Sequence, residues 1–250
     1  MNRILFESAE LRDGLARFGG ERAAHVLTVL HGEIGQELKT GVVDGPIGTS
    51  VITAIEPGPS GDPATAQITV RCTHNGVSEQ PWVDLVLAPP RPRVLKRLLP
   101  QLAALGVGRL VLVGAKKVEK DFWGATLLKP ENYRPLFVDG LMQCGASVLP
   151  TLETRRNFRK FVKEEVDGLW PEAKRIVAHP YGTPDRGRGM TPDAPGPSSR
   201  LLLAIGPEGG WTDEEVALLE EHGFVRYSLG SRILRTDTAT VALLAQLMPR

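Results

Sequence analysis

Hydrophobic and polar positions follow two different patterns along this chain. Over residues 1–77, short apolar stretches broken by Gly and Pro predict β-strands, at residues 2–6, 36–43, 50–55 and 64–73. Ala24, Leu27 and Leu30 recur on one helical face and predict a helix over residues 21–30. The first part of the chain is therefore expected to form a small β-rich domain.

A polar stretch at residues 74–81 precedes a second pattern, in which strands and helices alternate. Strands are predicted at residues 82–88, 109–113, 175–178 and 201–205, and helices at residues 93–105, 131–144, 158–165 and 237–248. Such alternation is typical of an α/β fold whose mostly parallel sheet is covered on both faces. We expect a boundary near residue 80, with domains at residues 1–78 and 82–250.

Three local features refine this second part. Pro100 lacks the N–H group that a helix interior uses, so it should kink the helix over residues 93–105 or delay its start. Thr212 and Glu215 have the spacing of a capping box, which predicts the start of a helix. Residues 181–199 are rich in Gly, Pro and Arg and predict a surface loop that can become ordered over a ligand.

The composition is that of a folded globular protein. Of the 250 residues, 42% are hydrophobic and 24% are charged, and no apolar run approaches the roughly 18 residues of a spanning helix. We expect no membrane role, and the first residues lack a secretory core, which predicts a cytoplasmic location. Cys72 and Cys144 lie far apart and outside zinc-site spacing, so no metal is expected.

Charge is balanced over the whole chain, with 30 Lys and Arg against 29 Asp and Glu. This balance gives no general attraction to a polyanion, so a nucleic-acid site has to be a local basic patch. Basic clusters occur within residues 91–97, 116–120 and 155–160. Each cluster fits either such a patch or a solvated helix face.

Two glycine-containing segments are the strongest candidates for chemistry. Residues 205–211, Ile-Gly-Pro-Glu-Gly-Gly-Trp, follow a predicted strand, where open α/β sheets bind ligands and where glycines let the backbone approach them. The segment matches neither the phosphate loop nor the dinucleotide motif, and it fits a ligand loop or a tight turn. Residues 229–239, Leu-Gly-Ser-Arg-Ile-Leu-Arg-Thr-Asp-Thr-Ala, also run through glycine into a helix.

Together, G-P-E-G-G-W-T-x-x-E and L-G-x-R-I-L-R-T-[DE]-T-A resemble the motifs of the RsmE family, which methylates N3 of a uridine in 16S ribosomal RNA with S-adenosylmethionine. The resemblance covers the whole chain. It implies a PUA-like RNA-binding β-barrel domain at residues 1–78, and a SPOUT methyltransferase domain with a C-terminal deep trefoil knot at residues 82–250. It also implies a homodimer. The hydrophobic pattern alone predicts an unknotted doubly wound sheet.

The resemblance assigns residues to the cofactor and to RNA. The implied S-adenosylmethionine site consists of Pro180, Ile205, Gly206, Pro207, Glu208, Gly209, Gly210, Leu229, Gly230, Ile233 and Leu234. For His179, beside that site, a core or capping role is favoured over catalysis. Expected RNA contacts are Arg3, Arg12, Arg22, Arg91, Arg93, Lys117, Lys120 and Arg232, for which ordinary surface positions are the alternative. The sequence departs from the family pattern at His31 and at residues 143–146, Gln-Cys-Gly-Ala.

The chemistry of uracil narrows the catalytic candidates. N3 becomes nucleophilic only when its proton is lost, so the site should stabilise negative charge spread over O2 and O4. Arg235 is the first candidate for this role because its guanidinium offers paired donors and stays charged; an ion pair with Glu208 is the structural alternative. Glu208 or water takes the proton. The target base has to be unpaired or turned out of its stack.

Two other functions fit the same residues. One is a SPOUT methyltransferase that acts on another base or on a ribose 2′-hydroxyl. The other is a ribosome-assembly factor that binds RNA without catalysing methyl transfer. Residues 206–210 and Arg235 are intact, which argues against the second.

Overall fold

A computed structural model describes residues 2–180 and 200–249. The surface loop predicted at residues 181–199 lies outside them. The chain separates into two compact units, one formed by Met1–Glu79 with Val138–Leu149 and the other by Gln80–Phe137 with Pro150–Arg250.

The first unit is built on a six-stranded mixed sheet. Its strands are β1 (Ile4–Phe6), β2 (Leu11–Arg12), β3 (Leu15–Phe18), β4 (Glu37–Val42), β5 (Ile47–Glu56) and β6 (Gln67–Gly76), in the order β1-β4-β5-β6-β3-β2. Only the β1–β4 pair is parallel among these described strands. Helix α1 (Gly20–Thr28) packs Ala23 and Val26 into the core with Phe6 and Phe18. The predicted β-rich character of this region is confirmed.

Residues 138–149 group with the first unit because their backbone is hydrogen-bonded to its strands and turns. The carbonyl of Met142 accepts hydrogen bonds from the N–H groups of Asn2 and Arg3, at 2.9 and 3.0 Å. Asp44 donates its N–H to Ser147 O at 2.8 Å and accepts from Leu149 N at 2.7 Å. The segment with the unusual sequence Gln-Cys-Gly-Ala is therefore part of this unit.

The second unit contains a six-stranded, wholly parallel sheet. Its strands are β7 (Val83–Leu87), β8 (Val107–Val113), β9 (Thr151–Arg155), β10 (Arg175–Ala178), β11 (Leu201–Ile205) and β12 (Val225–Tyr227), in the order β12-β10-β11-β7-β8-β9. The prediction of an α/β fold with a mostly parallel sheet is confirmed. Strand β9 was not predicted because it is an edge strand whose residues are exposed or only partly buried, and β12, which has three residues, was predicted without bounds.

Helices cover both faces of this sheet. They are α2 (Pro92–Ala104), α4 (Phe158–Glu164), α5 (Val166–Leu169), α6 (Asp213–Glu221) and α7 (Thr236–Leu247), whereas α3 (Pro130–Cys144) begins in this unit and ends in the first. Every residue of β7 and β11 is buried, as expected for strands covered on both faces. One core contains Val86, Leu202 and Ala204 with Phe161 of α4 and Val216 of α6.

Pro100 lies inside a helix that begins at Pro92, so the predicted late start is wrong. The apolar stripe of Leu95, Leu98, Leu99 and Leu102 is buried, and its packing outweighs the hydrogen bond that Pro100 cannot donate. None of the helices in the described part of the chain is both long and apolar enough to span a bilayer.

Candidate active site

The segments that follow four strands meet at one edge of the parallel sheet and line a pocket of about 490 Å³. Residues after β10, β11 and β12 form most of its wall, Lys117 approaches from the segment after β8, and α7 contributes Thr236, Ala239 and Leu243. The carboxyl ends of parallel strands are where α/β sheets bind ligands, and a volume of roughly 300–1,000 Å³ suits a small organic ligand.

The glycine-rich segment after β11 forms the floor of this pocket. A Cβ atom on Gly206 would lie 3.1 Å from the Trp211 ring, so a side chain there would crowd the indole. Gly210 adopts a φ of 71°, in the left-handed region that favours glycine, and donates its N–H to Pro207 O at 2.8 Å. These contacts fix a compact turn with its backbone facing the pocket.

The start of α6 anchors the same segment. Thr212 and Glu215 form the predicted capping box: Thr212 Oγ1 accepts from Glu215 N at 3.3 Å, and Glu215 Oε2 accepts from Thr212 N at 2.9 Å. The other oxygen, Oε1, accepts from the backbone N–H of Lys116 at 2.7 Å. One buried carboxylate therefore joins the segment after β8 to the start of α6.

Lys117 extends this connection to the glycines. Its Nζ donates to Gly209 O at 2.7 Å, and its methylene chain lies across Gly209, where an added Cβ would be 3.0 Å from Lys117 Cδ. Lys117 was predicted to contact RNA, and its side chain lies in the wall of this pocket.

The segments after β10 and β12 also line the pocket and are hydrogen-bonded to each other. His179 N donates to Tyr227 O at 3.0 Å, and Ser228 Oγ donates to Pro180 O at 3.0 Å. Beyond them, Ile233 and Leu234 are 77% and 37% exposed, which is unusual for side chains of their size. This wall is thus partly apolar and open to a ligand or a partner surface.

Burial changes the ionisation of two groups in the pocket. Burial and the charge of Arg226 lower the pKa of His179 below its ordinary value of 6.5, although Asp213 and Glu220 oppose the shift. His179 is therefore neutral at neutral pH. Burial raises the pKa of the Tyr227 phenol, which keeps it protonated.

All eleven residues that the sequence analysis assigned to the cofactor line this one pocket. The two catalytic candidates are separated: Glu208 lines the pocket and is exposed, whereas Arg235 is the exposed N-cap of α7 and is not part of the lining. Arg232 is the arginine in the wall. Within the described residues, no ion pair joins Arg235 to Glu208.

The residues predicted to contact RNA fall into two groups. Arg3 donates to the carbonyls of Thr40, Gly48 and Gly145, at 2.7 to 3.0 Å, and holds its own unit together. Arg22 pairs with Glu10 and lies over two aromatic rings of the same unit. The side chains that stay exposed are Arg12, Arg91, Arg93, Lys117, Lys120 and Arg232, and the ammonium of Lys117 is also bonded to Gly209 O.

Several pocket residues were not identified as such from the sequence. Tyr227, Thr236, Ala239 and Leu243 line it, and Thr236 Oγ1 donates to Gly206 O at 3.4 Å. Tyr227 ends a short strand that had not been delimited, and Leu243 resembles any buried helix residue. Among the described residues, no group of three or more His, Cys, Asp or Glu side chains could hold a metal ion.

Known proteins resemble this chain in sequence over most of its length. Residues 78–248 match the family model of the RNA methyltransferase domain. A ribosomal RNA small subunit methyltransferase E of Treponema pallidum is 28% identical over 249 residues, which are 98% of this chain and 90% of that protein. This relative bears out the family resemblance carried by the two motifs.

Two solved structures share the fold over nearly the whole chain. One is a Legionella pneumophila protein described as a methyltransferase and solved with bound SAM. Its TM-score is 0.72 at 26% identity, and the match covers 98% of this chain and 96% of that protein. A ribosomal RNA small subunit methyltransferase E of Neisseria gonorrhoeae, solved with S-adenosyl methionine, has a TM-score of 0.69 at 19% identity, with 98% and 95% covered. Because the family model matches more than half of the sequence, this chain belongs to the RNA methyltransferase domain family.

Proposed function

We propose that this protein transfers a methyl group from S-adenosylmethionine to N3 of one uridine in the 16S ribosomal RNA of the small subunit. The observation that carries the proposal is that the cofactor residues assigned to the two sequence motifs all line the same pocket. The names of the Treponema pallidum and Neisseria gonorrhoeae relatives support the choice of small-subunit RNA.

The pocket has the properties that S-adenosylmethionine requires. Its volume of about 490 Å³ suits a ligand of that size. Leu229 and Leu234 offer apolar surface to the adenine ring, and the backbone of residues 206–210 offers amides and carbonyls to its polar edge. The Legionella pneumophila and Neisseria gonorrhoeae neighbours were solved with this cofactor.

The cofactor, when bound, supplies a methyl group that its sulfonium makes strongly electrophilic. The residues of the chain then have to align uracil N3 with that methyl group and exclude water. Arg232 lines the pocket and Arg235 lies three residues further on, so we propose that these two cations stabilise the negative charge on uracil O2 and O4. Glu208, exposed at the pocket, is our candidate to accept the N3 proton.

RNA binding is proposed for the exposed basic residues. Of the residues predicted to contact RNA, these are Arg12 on the first unit and Arg91, Arg93, Lys120 and Arg232 on the second; Lys117 is exposed too, and a different role is proposed for it. We propose that residues 1–78, which belong to the first unit and contain its mixed sheet, form a PUA-like RNA-binding domain. Phosphate contacts of this kind should make RNA affinity fall steeply with salt.

We propose that residues 82–250, which contain the parallel sheet of the second unit, form a SPOUT domain with a C-terminal deep trefoil knot. Its support is that α7 lines the same pocket as residues 205–211. A homodimer is proposed because Ile233 and Leu234 remain exposed beside the pocket, where a second copy can cover them. We propose that the protein acts in the cytoplasm, where ribosomal subunits are assembled.

Transfer of labelled methyl groups tests the substrate. The purified protein is incubated with labelled S-adenosylmethionine and, separately, with undermethylated small subunits, large subunits and transfer RNA. The proposal expects label only in 16S RNA. Label in another RNA would favour a related methyltransferase activity, and RNA binding without label would favour an assembly factor.

A further inference from the structure

We infer that Lys117 is a positioning residue of the cofactor pocket rather than an RNA contact; this inference rests on the proposed function. Lys117 lies in the segment after β8, 92 positions before Gly209 in the sequence, yet its Nζ donates to Gly209 O at 2.7 Å. It is the residue through which this segment lines the pocket.

A glycine at position 209 leaves room for the side chain of Lys117. Its φ lies outside the left-handed region, unlike that of Gly210, so its backbone conformation is open to any residue. The space for a Cβ is occupied by the Lys117 chain, whose Cδ would be 3.0 Å and Cβ 3.5 Å away. Gly209 therefore lets the lysine lie flat against the glycine-rich turn.

Glu215 holds the start of this lysine segment in place. Its buried carboxylate accepts from Lys116 N at 2.7 Å and from Thr212 N at 2.9 Å. The backbone beside Lys117 is thus fixed to α6, and the Lys117 ammonium is fixed to the turn that precedes α6. Two hydrogen bonds therefore connect the segment after β8 to the glycine-rich segment and the helix that follows it. Lys117 donates to Gly209 O, and Lys116 N donates to the Glu215 carboxylate.

This arrangement gives Lys117 a definite task. The bond to the ammonium fixes the orientation of the Gly209 carbonyl, so the neighbouring amides of the turn keep one arrangement when the cofactor enters. Loss of this bond should therefore weaken cofactor binding and leave RNA affinity unchanged.

Calorimetric titration with S-adenosylmethionine tests the inference. K117M keeps the chain over Gly209 and removes the charged donor, so cofactor affinity should fall roughly tenfold, as for loss of a hydrogen bond to a charged group. The KM for the cofactor should rise with it while kcat changes little, and K117R should restore most of the affinity. K116M is the matched control: it removes the adjacent exposed lysine, whose side chain does not line the pocket, and should leave cofactor affinity unchanged.

A role of Lys117 in RNA binding predicts the opposite changes in cofactor and RNA affinity. If Lys117 contacts phosphate, K117M would leave cofactor affinity intact, weaken RNA binding and reduce the slope of its salt dependence by about one. That result would overturn the inference, as would equal cofactor losses in K117M and K116M.

A double-mutant cycle of thermal unfolding measurements tests the contact between Lys117 and Gly209 in the absence of cofactor. The test therefore holds even if the wild-type protein fails to bind S-adenosylmethionine. G209A should lower the unfolding midpoint in the wild-type background and lower it less in the K117A background, because the added methyl then has room. Additive effects of G209A and K117A would contradict the contact. Absence of cofactor binding in the wild type would instead count against the proposed function.

Discussion

Glu215 accepts a hydrogen bond from the backbone N–H of Lys116, 99 residues earlier in the chain, while it closes the capping box of α6 with Thr212. Both carboxylate oxygens are thus engaged by backbone donors, and the side chain is only 5% exposed. A residue that reads as a local helix cap in the sequence is also a long-range connection next to the pocket.

Replacement of Glu215 by Gln should therefore destabilise the protein. The amide accepts through only one of its two polar atoms, which leaves a buried N–H unpaired at a cost of about 1–3 kcal/mol. Urea denaturation measures the change in the free energy of unfolding. E214Q, at an adjacent carboxylate that is 65% exposed, is the control and should change it by less than about 0.5 kcal/mol. Equal stability of the two variants would show that the buried bonds contribute nothing.

Gly210 should tolerate alanine poorly for a backbone reason alone. Its φ of 71° is unfavourable for other residues, while no atom lies within 4 Å of an added Cβ. G210A should lose about 1 kcal/mol of stability and weaken cofactor binding as the turn relaxes. G168A is the matched control, since Gly168 also has free space and lies in α5 without a positive φ, and it should keep or increase stability.

The two arginines near the pocket should differ in their effect on turnover. Arg232 lines the pocket and Arg235 does not, so loss of the Arg232 guanidinium should remove more stabilisation of the uracil anion. R232M should lower kcat about 100-fold, as for loss of one preorganised donor, with cofactor affinity nearly unchanged. R235M should lower kcat less than about tenfold. Single-turnover methyl transfer measures both, and a larger loss in R235M would make Arg235 the main anion-stabilising group.

The lowered pKa of His179 predicts a pH dependence of cofactor binding. Burial and Arg226 favour the neutral imidazole, so protonation occurs below the ordinary value of 6.5. S-adenosylmethionine carries a net positive charge, and an imidazolium in the pocket wall should repel it. Affinity should stay constant from pH 8 to about pH 6.5 and then decrease as the pH falls. H179Q should be insensitive over this range; a decrease that persists in H179Q would assign the effect to another group.

The hydrophobic pattern was sufficient for the main frame of the fold. Strands β10 and β11 lie at their predicted residues, because continuous apolar runs between loops identify buried parallel strands. Strands β2 and β3 were missed because the turn at Asp13 and Gly14, both with positive φ, leaves only two and four residues for them. The grouping of residues 138–149 with the first unit arises from contacts between distant segments, which spacing does not encode.

The candidate site was predictable where it is continuous in sequence. Residues 205–210 and 229–234 belong to the two motifs, and all of them except Ser231 line the pocket. Lys117 was assigned to RNA because a lysine among lysines resembles a basic patch, and its contact with Gly209 depends on how β8 and β11 are arranged in the sheet. A side chain that reaches the site from the end of another strand can be assigned to it only when the fold is known.

The most direct test of the proposed activity is the identity of the methylated nucleoside. Small subunits that have been treated with the protein and labelled S-adenosylmethionine are digested to nucleosides and separated by mass spectrometry. The proposal predicts 3-methyluridine from a single position of 16S RNA, formed about 100-fold more slowly when R232M replaces the wild-type protein. A methyl group on another base or on a ribose 2′-hydroxyl would contradict the proposed reaction.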